Sequence, residues 1–440
     1  MHTSFYQVLL VLIAGITSIV LLTAKWKVHP FFALLIASLV VGLGVQLSLP
    51  EIINSVKEGF GNIMRSLGII IVLGTALGVV LEKNGSTGVM ANYILKKIGN
   101  RFPALAMSIT GFMVGLPVFC DSGFIVLSGL NISIARKTGT RIIIMAISMA
   151  TGLYAVHCLI PPHPGVVAAA GIIGVAYGKL ILMGILIAIP AMIVGYLYAG
   201  YTGRKYPLPE MADEKQPGEI QTNLPTTTLA FLPVIVPVIL IALKSFVTTD
   251  PKSVWHIAAY LGEPVVALTI AVLLALTANK SWEGKKINEW LQDAVEKAGG
   301  ILVIIGAGGA FGAVLAATNI GQRFSEALPL ASMGILFPFL LTSVLKTAQG
   351  SSTVAIITAA SIIQPLLPAL GFTTPDHKLL CVLSMGAGSM MISHANDAYF
   401  WVIAKFEKID MQTMLRVYSI ATVLMGLTSL LMIYILSLLL

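Results

Sequence analysis

The sequence is dominated by long apolar runs, of which residues 5–24 are the first of about ten. The hydrocarbon core of a bilayer is about 30 Å thick, so one helical crossing takes roughly 20 apolar residues. Only 10% of the 440 residues are charged, whereas about a quarter are charged in a soluble domain. The sequence therefore predicts an all-α integral membrane protein with about ten crossings. Polar residues inside the runs are costly in lipid and are the first candidates for function.

The basic residues predict how the chain is threaded through the membrane. They lie in short loops between apolar runs, and such loops face the cytoplasm. The predicted cytoplasmic loops are 25–27, 83–101, 136–141, 204–205, 280–286 and 405–416. The net charge of +8 therefore follows from topology and gives no reason to expect nucleic-acid binding. The nearly neutral loops at 50–66, 249–254, 317–328 and 371–377 are predicted to lie outside, as are both termini. The predicted crossings are 5–24, 29–49, 67–82, 180–202, 229–248, 255–278, 298–316 and 412–438, with two further crossings, 141–178 and 378–405, that contain a polar or proline break.

Two segments are predicted to enter and leave the membrane on the same side. Residues 102–136 have basic flanks at both ends, so the polar turn at 115–123 is predicted to be the tip of a re-entrant hairpin. Residues 329–370 have the same pattern with nearly neutral flanks, and their polar turn is at 346–353. We expect this second hairpin to enter from outside.

Short matches in the same order predict that the chain is duplicated. Gly74-Thr-Ala-Leu-Gly resembles Gly308-Gly-Ala-Phe-Gly, and each run precedes a hairpin. The opposite flank charges make these inverted-topology repeats, as in many transporters. The predicted parts are an extra N-terminal transmembrane helix (1–28), membrane repeat 1 (29–202), a linker loop with a connecting transmembrane helix (203–254) and membrane repeat 2 (255–440).

Four polar breaks, at 119–123, 157–165, 348–353 and 393–397, interrupt the apolar sequence. Lipid cannot bond irregular backbone, so such breaks predict a buried polar site. Half-helix N-termini at the breaks attract anions, and the hydroxyl and amide side chains there can bond a polyol. Together these features indicate a sugar acid. The candidate substrate-binding residues are Ser122, Gly123, His163, Gln349, Gly350, Ser351, Ser352, Thr353 and Asn396.

The ionisable residues of the breaks are candidates for proton coupling. Asp121 could carry a proton or only cap the half-helix that follows it. His157, His163 and His394 could each relay protons or donate hydrogen bonds to freed carbonyl groups. Asp397 follows His394 by three residues and would share its helical face. The candidate proton-coupling residues are Asp121, His157, His394 and Asp397.

Lys346 has no role assigned from the sequence. It could offset a carboxylate or a substrate charge, or extend to the outer interface.

Three runs resemble a known family. They are Gly-Leu-Pro-Val-Phe-Cys-Asp-Ser-Gly-Phe from Gly115, His-Cys-Leu-Ile-Pro-Pro-His-Pro-Gly from His157, and Ser-His-Ala-Asn-Asp-Ala-Tyr-Phe-Trp from Ser393. Over nearly its whole length the chain resembles the gluconate permease family of bacterial proton symporters. The resemblance implies the ion-transporter superfamily fold, in which a mobile transport part moves like an elevator against a scaffold. It also implies the bacterial cytoplasmic (inner) membrane and a possible homodimer. Family members also carry other small hydroxy acids and D-serine.

The sequence thus predicts a secondary active transporter, not an enzyme, that imports gluconate or a related sugar acid by proton symport. Its expected partners are the substrate, protons or Na⁺, and membrane lipid, with no cofactor and no metal. Transport of another small carboxylate or D-serine is the alternative. A channel would need a continuous polar lining, whereas polarity here is concentrated at two depths. A membrane metalloenzyme would use His157, His163, His394 and Asp397 as ligands, although the chain has no His-Glu-x-x-His signature.

Overall fold

The computed structural model describes residues 5–98, 102–205, 224–244, 259–278, 284–318 and 333–440, and every regular element among them is helical. The helices of the first half are α1 (Phe5–Val20), α2 (Pro30–Gly44), α3 (Leu49–Lys83), α4 (Ser86–Ile98), α5 (Pro103–Gly115), α6 (Cys120–Thr138), α7 (Ile142–Leu159), α8 (Pro164–Ile173) and α9 (Tyr177–Gly203). A π-helical turn, Leu21–Lys25, extends α1.

The helices of the second half follow a similar order. They are α10 (Thr227–Lys244), α11 (Pro264–Thr277), α12 (Gly284–Ala317), α13 (Leu336–Gln349), α14 (Ser352–Ile363), α15 (Pro375–Ser389), α16 (Ala398–Phe406), α17 (Met411–Met414) and α18 (Ile420–Ser437). The linker at 206–223, the loop at 249–254 and residues 319–332 lie outside the described residues.

Six helical stretches in the described part of the chain are long and apolar enough to cross a membrane. They are Leu49–Lys83, Ile142–Ile173, Tyr177–Gly203, Thr227–Lys244, Gly284–Ala317 and Met411–Ser437. Shorter apolar helices lie at three further predicted crossings, in residues 7–23, α2 and α11. Two more, α5 and residues 352–366, lie within the predicted hairpins. The all-helical membrane architecture predicted from the sequence is confirmed at this level.

The prediction of a loop at residues 50–66 is wrong, because these residues form the first half of α3. Ser48 accepts a hydrogen bond from the backbone N–H of Glu51, whose side chain accepts one in return, and this capping box starts the helix. The segment is amphipathic, with Ile52 and Ile63 buried and charged residues on the other face. The length of the apolar run therefore predicted only the second half of α3, as the crossing 67–82.

Two other predicted boundaries are also corrected. The predicted crossing 298–316 is the second half of α12, which begins at Gly284, within the predicted loop at 280–286. The predicted basic loop between Lys83 and Arg101 contains α4, whose last turn holds Lys96 and Lys97. In both cases charged residues lie on a helix, because amphipathic helices tolerate them on one face.

Helix–turn–helix units stand where the two hairpins are predicted. Helices α5 and α6 are separated by residues 116–119, and α13 and α14 by residues 350–351. The broken pairs α7–α8 and α15–α16 follow them. That each hairpin enters and leaves the membrane on the same side stays a prediction.

The most extensive helix contacts among the described residues form two groups. Helices α3 and α12 form the most extensive pair, and α2 packs on α12. Helix α7 packs on α5 and α9, α15 on α13, and α14 on α8. The α3–α12 crossing depends on glycine, because a Cβ at Gly59 would lie 2.4 Å from the carbonyl oxygen of Gly309.

Single-cysteine labelling tests the hairpin topology. In a background without the three native cysteines, cysteines at Lys97 and Lys137 should react only from the cytoplasm, because they flank a hairpin that returns to its own side. Cysteines at Thr318 and Thr374 should react only from outside. Accessibility is measured with a membrane-impermeant maleimide on right-side-out and inverted vesicles. Labelling of Lys97 and Lys137 from opposite sides would contradict the re-entrant hairpin.

Candidate functional site

The four predicted breaks converge on one cavity of about 480 Å³. Helices α6, α8, α14 and α16 all begin at its wall, contributing Cys120, Pro164, Ser352 and Ala398 respectively. Each helix start carries free N–H groups and partial positive charge. The cavity thus combines four electropositive helix ends, which suits an anion.

Two of these helix ends approach closely because glycine stands between them. A Cβ on Gly165, in the first turn of α8, would lie 3.0 Å from the Cα of Thr353 in α14. Gly350 ends α13 with φ +82°, and a Cβ there would lie 2.1 Å from the carbonyl oxygen of Asn396. The Gly350 contact therefore requires glycine, and the Gly165 contact leaves little room for a side chain. The Gly165 contact joins breaks of the two halves, and the Gly350 contact joins the two breaks of the second half.

Ten of the predicted site residues line this cavity. They are Asp121, Ser122, His157, Gln349, Gly350, Ser351, Ser352, Thr353, Asn396 and Asp397. Gly123, His163 and His394 do not line it. Gly123 is buried in α6, and the two histidines bond carbonyl groups behind the cavity wall.

The Asp121 carboxylate is open to the cavity. Phe119 is the N-cap residue of α6 and has no side-chain cap bond, so Asp121 lies in the first turn and is not itself the N-cap residue. A carboxylate in the first turn interacts favourably with the helix dipole. The structure describes no salt bridge within 4 Å to this carboxylate.

Asp397, in contrast, is buried and paired. Its Oδ2 lies 2.6 Å from Lys346 Nζ and 2.5 Å from Ser393 Oγ, and its Oδ1 accepts from the backbone N–H of Tyr399. Lys346 is fully buried and also donates to the Gly350 carbonyl at 2.6 Å. Of the readings left open for Lys346, the structure therefore shows the one in which it offsets a carboxylate.

Side chains from the broken helices satisfy the carbonyl groups freed at the hairpin turns. His163 Nε2 lies 2.6 Å from the Gly115 carbonyl oxygen at the end of α5. His394 Nε2 lies 3.0 Å from the Thr347 carbonyl oxygen, and Asn396 Nδ2 donates to the same oxygen at 2.8 Å. These are the bonds expected if His163 and His394 act as structural donors to freed carbonyls.

Several polar atoms at the cavity have no hydrogen-bond partner among the described residues. They are Oε1 and Nε2 of Gln349, Oδ1 of Asn396 and Nδ1 of His157. A buried unpaired polar atom costs about 1–3 kcal/mol, so a ligand with hydroxyl groups would be stabilised by bonding to these atoms.

Sequence reasoning missed two kinds of cavity residue. Tyr154 and Tyr399 stack with ring centroids 5.8 Å apart in the cavity wall, and Tyr154 Oη lies 2.7 Å from Ser352 Oγ. Lys297 reaches the cavity from α12, outside every break. A tyrosine or lysine within or beside an apolar run carries no signal of its own, because its role depends on which helices meet.

The described residues contain no group of three or more His, Cys, Asp or Glu side chains that could hold a metal ion. The ligands of the metalloenzyme alternative are used otherwise, since His163 and His394 contact carbonyl oxygens and Asp397 pairs with Lys346. The three cysteines are free and buried.

Comparison with known proteins identifies the family. The profile of the family described as GntP family permease matches residues 6–439. The chain belongs to the GntP permease family. The gluconate permease of Pseudomonas aeruginosa is 34% identical over 99% of this chain and 98% of its own length. The high-affinity gluconate transporter of Escherichia coli is 32% identical over 90% and 92%. The D-serine transporter DsdX of Escherichia coli is 29% identical over 96% of each.

The family confirms the resemblance seen in the sequence and makes the chain a multi-pass membrane transporter, not an enzyme. Among solved structures, the YdaH transporter of Alcanivorax borkumensis aligns with a TM-score of 0.64 over 89% of each chain, at 15% identity. This likeness concerns the fold alone.

Removing Lys346 should destabilise the permease strongly. Lys346→Met leaves the Asp397 carboxylate buried and unpaired, which costs about 3–5 kcal/mol. Thermal unfolding of the purified protein measures the loss, and adding Asp397→Asn in the same chain should recover much of it.

The matched control for this prediction is Lys179→Met, because Lys179 and Asp376 also form a 2.9 Å pair but both side chains are exposed. That change should cost about 0–1 kcal/mol. Equal effects of the two lysine substitutions would contradict a structural role for the buried pair.

Proposed function

We propose that this permease imports gluconate or a closely related sugar acid by proton symport across the bacterial cytoplasmic membrane. The observation that carries the proposal is the cavity in which four half-helix starts, hydroxyl side chains and unpaired amide atoms meet. Its volume of about 480 Å³ lies within the range of small-molecule sites, roughly 300–1,000 Å³. The gluconate transporters and the D-serine transporter among its relatives both carry small hydroxylated carboxylates.

The helix starts and the hydroxyl groups have different roles in this proposal. The partial positive charge at the starts of α6, α8, α14 and α16, with those N–H groups that no side chain bonds, attracts the carboxylate. Thr353 and Gln349 bond hydroxyl groups of the substrate, as do Ser122 and Asn396. Gly350 acts indirectly, because it lets Asn396 approach the hairpin turn.

Asp121 is the proposed proton site. It is the carboxylate open to the cavity, whereas Asp397 is held in its pair with Lys346. His157, stacked on Tyr154 at the same cavity, is a second candidate for proton transfer. Coupling matters because an inside-negative potential opposes anion uptake by about 2.3 kcal/mol per charge per 100 mV.

The order of elements supports the proposed duplication and alternating access. The first half of the chain, α2 to α9, has a long helix with an amphipathic and an apolar part, then a hairpin and then a broken helix. The second half, α11 to α18, has the same elements in the same order. We propose that the hairpins and broken helices form a mobile transport unit and that α2, α3 and α12 belong to a fixed scaffold. In this proposal the chain crosses the membrane about ten times and both termini lie outside. Two copies form a homodimer through their scaffolds.

Uptake into proteoliposomes tests the function. Purified permease should concentrate labelled gluconate under an inward proton gradient and not under a sodium gradient alone. Asp121→Asn should abolish concentration yet retain exchange of labelled for unlabelled gluconate, because an amide keeps size and hydrogen bonding but cannot carry a proton. Concentrative uptake at the wild-type rate by Asp121→Asn would remove this residue from coupling. Uptake driven by sodium, or of D-serine in preference, would favour the alternative transporter.

Alanine substitutions in the second hairpin test substrate binding. Thr353→Ala should raise the KM for uptake by about 2- to 10-fold, the value of a neutral hydrogen bond to a substrate hydroxyl group, and leave unfolding unchanged. Ser351→Ala is a useful contrast, because Ser351 Oγ also caps α14 by accepting from the Val354 N–H at 3.3 Å. It should therefore also lower the free energy of unfolding by about 0.5–2 kcal/mol. Unchanged KM values in both variants would exclude this turn from the binding site.

A further inference from the structure

The cavity wall contains a lysine, Lys297, that lies outside the four polar breaks. Lys297 lies on α12 and lines the cavity, followed by Ile301 and Ile304 one and two turns later. Helix α12 packs chiefly on α3 and α2. The Lys297 side chain is 38% exposed, whereas Lys346 is fully buried in its pair with Asp397. Among the described residues that line the cavity, Lys297 is thus the cation accessible to a ligand.

Lys297 has one carboxylate partner and shares the cavity with others. Its Nζ lies 3.2 Å from Asp293 Oδ2, one turn earlier on α12. Asp121, at the start of α6, lines the same cavity, as do His157 and Asp397, which is held in its pair with Lys346. Glu82 and Lys83 lie at the end of α3, the helix on which α12 chiefly packs. A substrate carboxylate at Lys297 would therefore compete with Asp293 and add negative charge to the cavity that holds Asp121.

We propose that Lys297 binds the substrate carboxylate and thereby links anion binding to proton uptake at Asp121. The inference rests on the proposed transport of a sugar acid. Without substrate, Lys297 offsets Asp121 and Asp293. A substrate carboxylate at Lys297 adds one negative charge beside Asp121, and a proton on Asp121 restores the balance. Linkage makes the effect reciprocal, so a proton on Asp121 strengthens substrate binding by the same factor.

Comparing the binding of an acid with that of its uncharged amide separates the contribution of the carboxylate charge from that of the molecular shape. Isothermal titration of the purified permease with gluconate and with gluconamide is made over a range of pH. Wild-type affinity for gluconate should fall as pH rises, because binding takes up a proton. Lys297→Met should weaken gluconate binding by about 10- to 100-fold, flatten its pH dependence and leave gluconamide within a few-fold.

Lys285→Met is the matched control, since Lys285 lies on the same helix, is exposed and does not line the cavity. It should bind both compounds as the wild type does. Asp293→Asn provides a second test in a protein that keeps Lys297. Freeing Lys297 from an exposed ion pair should strengthen gluconate binding by about 2- to 5-fold and leave gluconamide unchanged.

Equal weakening of gluconate and gluconamide by Lys297→Met would overturn the proposal, as would an unchanged pH dependence. If Lys297→Met does not fold, an unchanged gluconate affinity in Asp293→Asn overturns it. Failure of the function itself is recognised separately, because wild-type proteoliposomes would then not take up gluconate. If they take up D-serine instead, D-serine and its amide replace the test pair and the expectation for charge is the same.

Discussion

Backbone groups freed at membrane depth must be bonded, and the structure treats the two kinds of group differently. Carbonyl oxygens at the ends of α5 and α13 are bonded by side chains from the protein. Histidines bond those of Gly115 and Thr347, Asn396 bonds Thr347 and Ala348, and Lys346 bonds Gly350. The N–H ends of the following half-helices face the cavity. Because these carbonyl oxygens are bonded within the protein while the positive ends of the helices line the cavity, the arrangement favours the proposed anionic substrate.

The breaks could be predicted from the sequence, but the role of each residue within a break could not. Proline, glycine and polar residues inside an apolar run mark a break directly, so the residues around Asp121 and Thr353 were found from sequence. His163 stands in the same kind of run, yet its ring bonds a carbonyl of another helix behind the wall. Only tertiary packing decides whether a polar side chain at a break turns toward the cavity or toward a freed carbonyl.

The amphipathic halves of α3 and α12 were not predictable from apolar run length. Charged residues on one face lower the average hydropathy, so the predicted crossings started at 67 and 298 although the helices start at Leu49 and Gly284. Lys297 lies one residue before the predicted start of its crossing and was therefore given no role. A helical period of buried residues, such as Ile287, Ala294 and Ala298, is the signal that could have extended this helix.

The attachment of the second hairpin has a mechanical consequence. Thr347, Ala348 and Lys346 are joined to the break between α15 and α16 by four hydrogen bonds, one of them within a buried ion pair. Swinging this hairpin outward by itself would rupture all four and strand a charge in a dry interior. The hairpin is therefore poorly suited to opening alone as a gate. These bonds favour the proposed movement, in which the hairpin and the broken helix move together as one block.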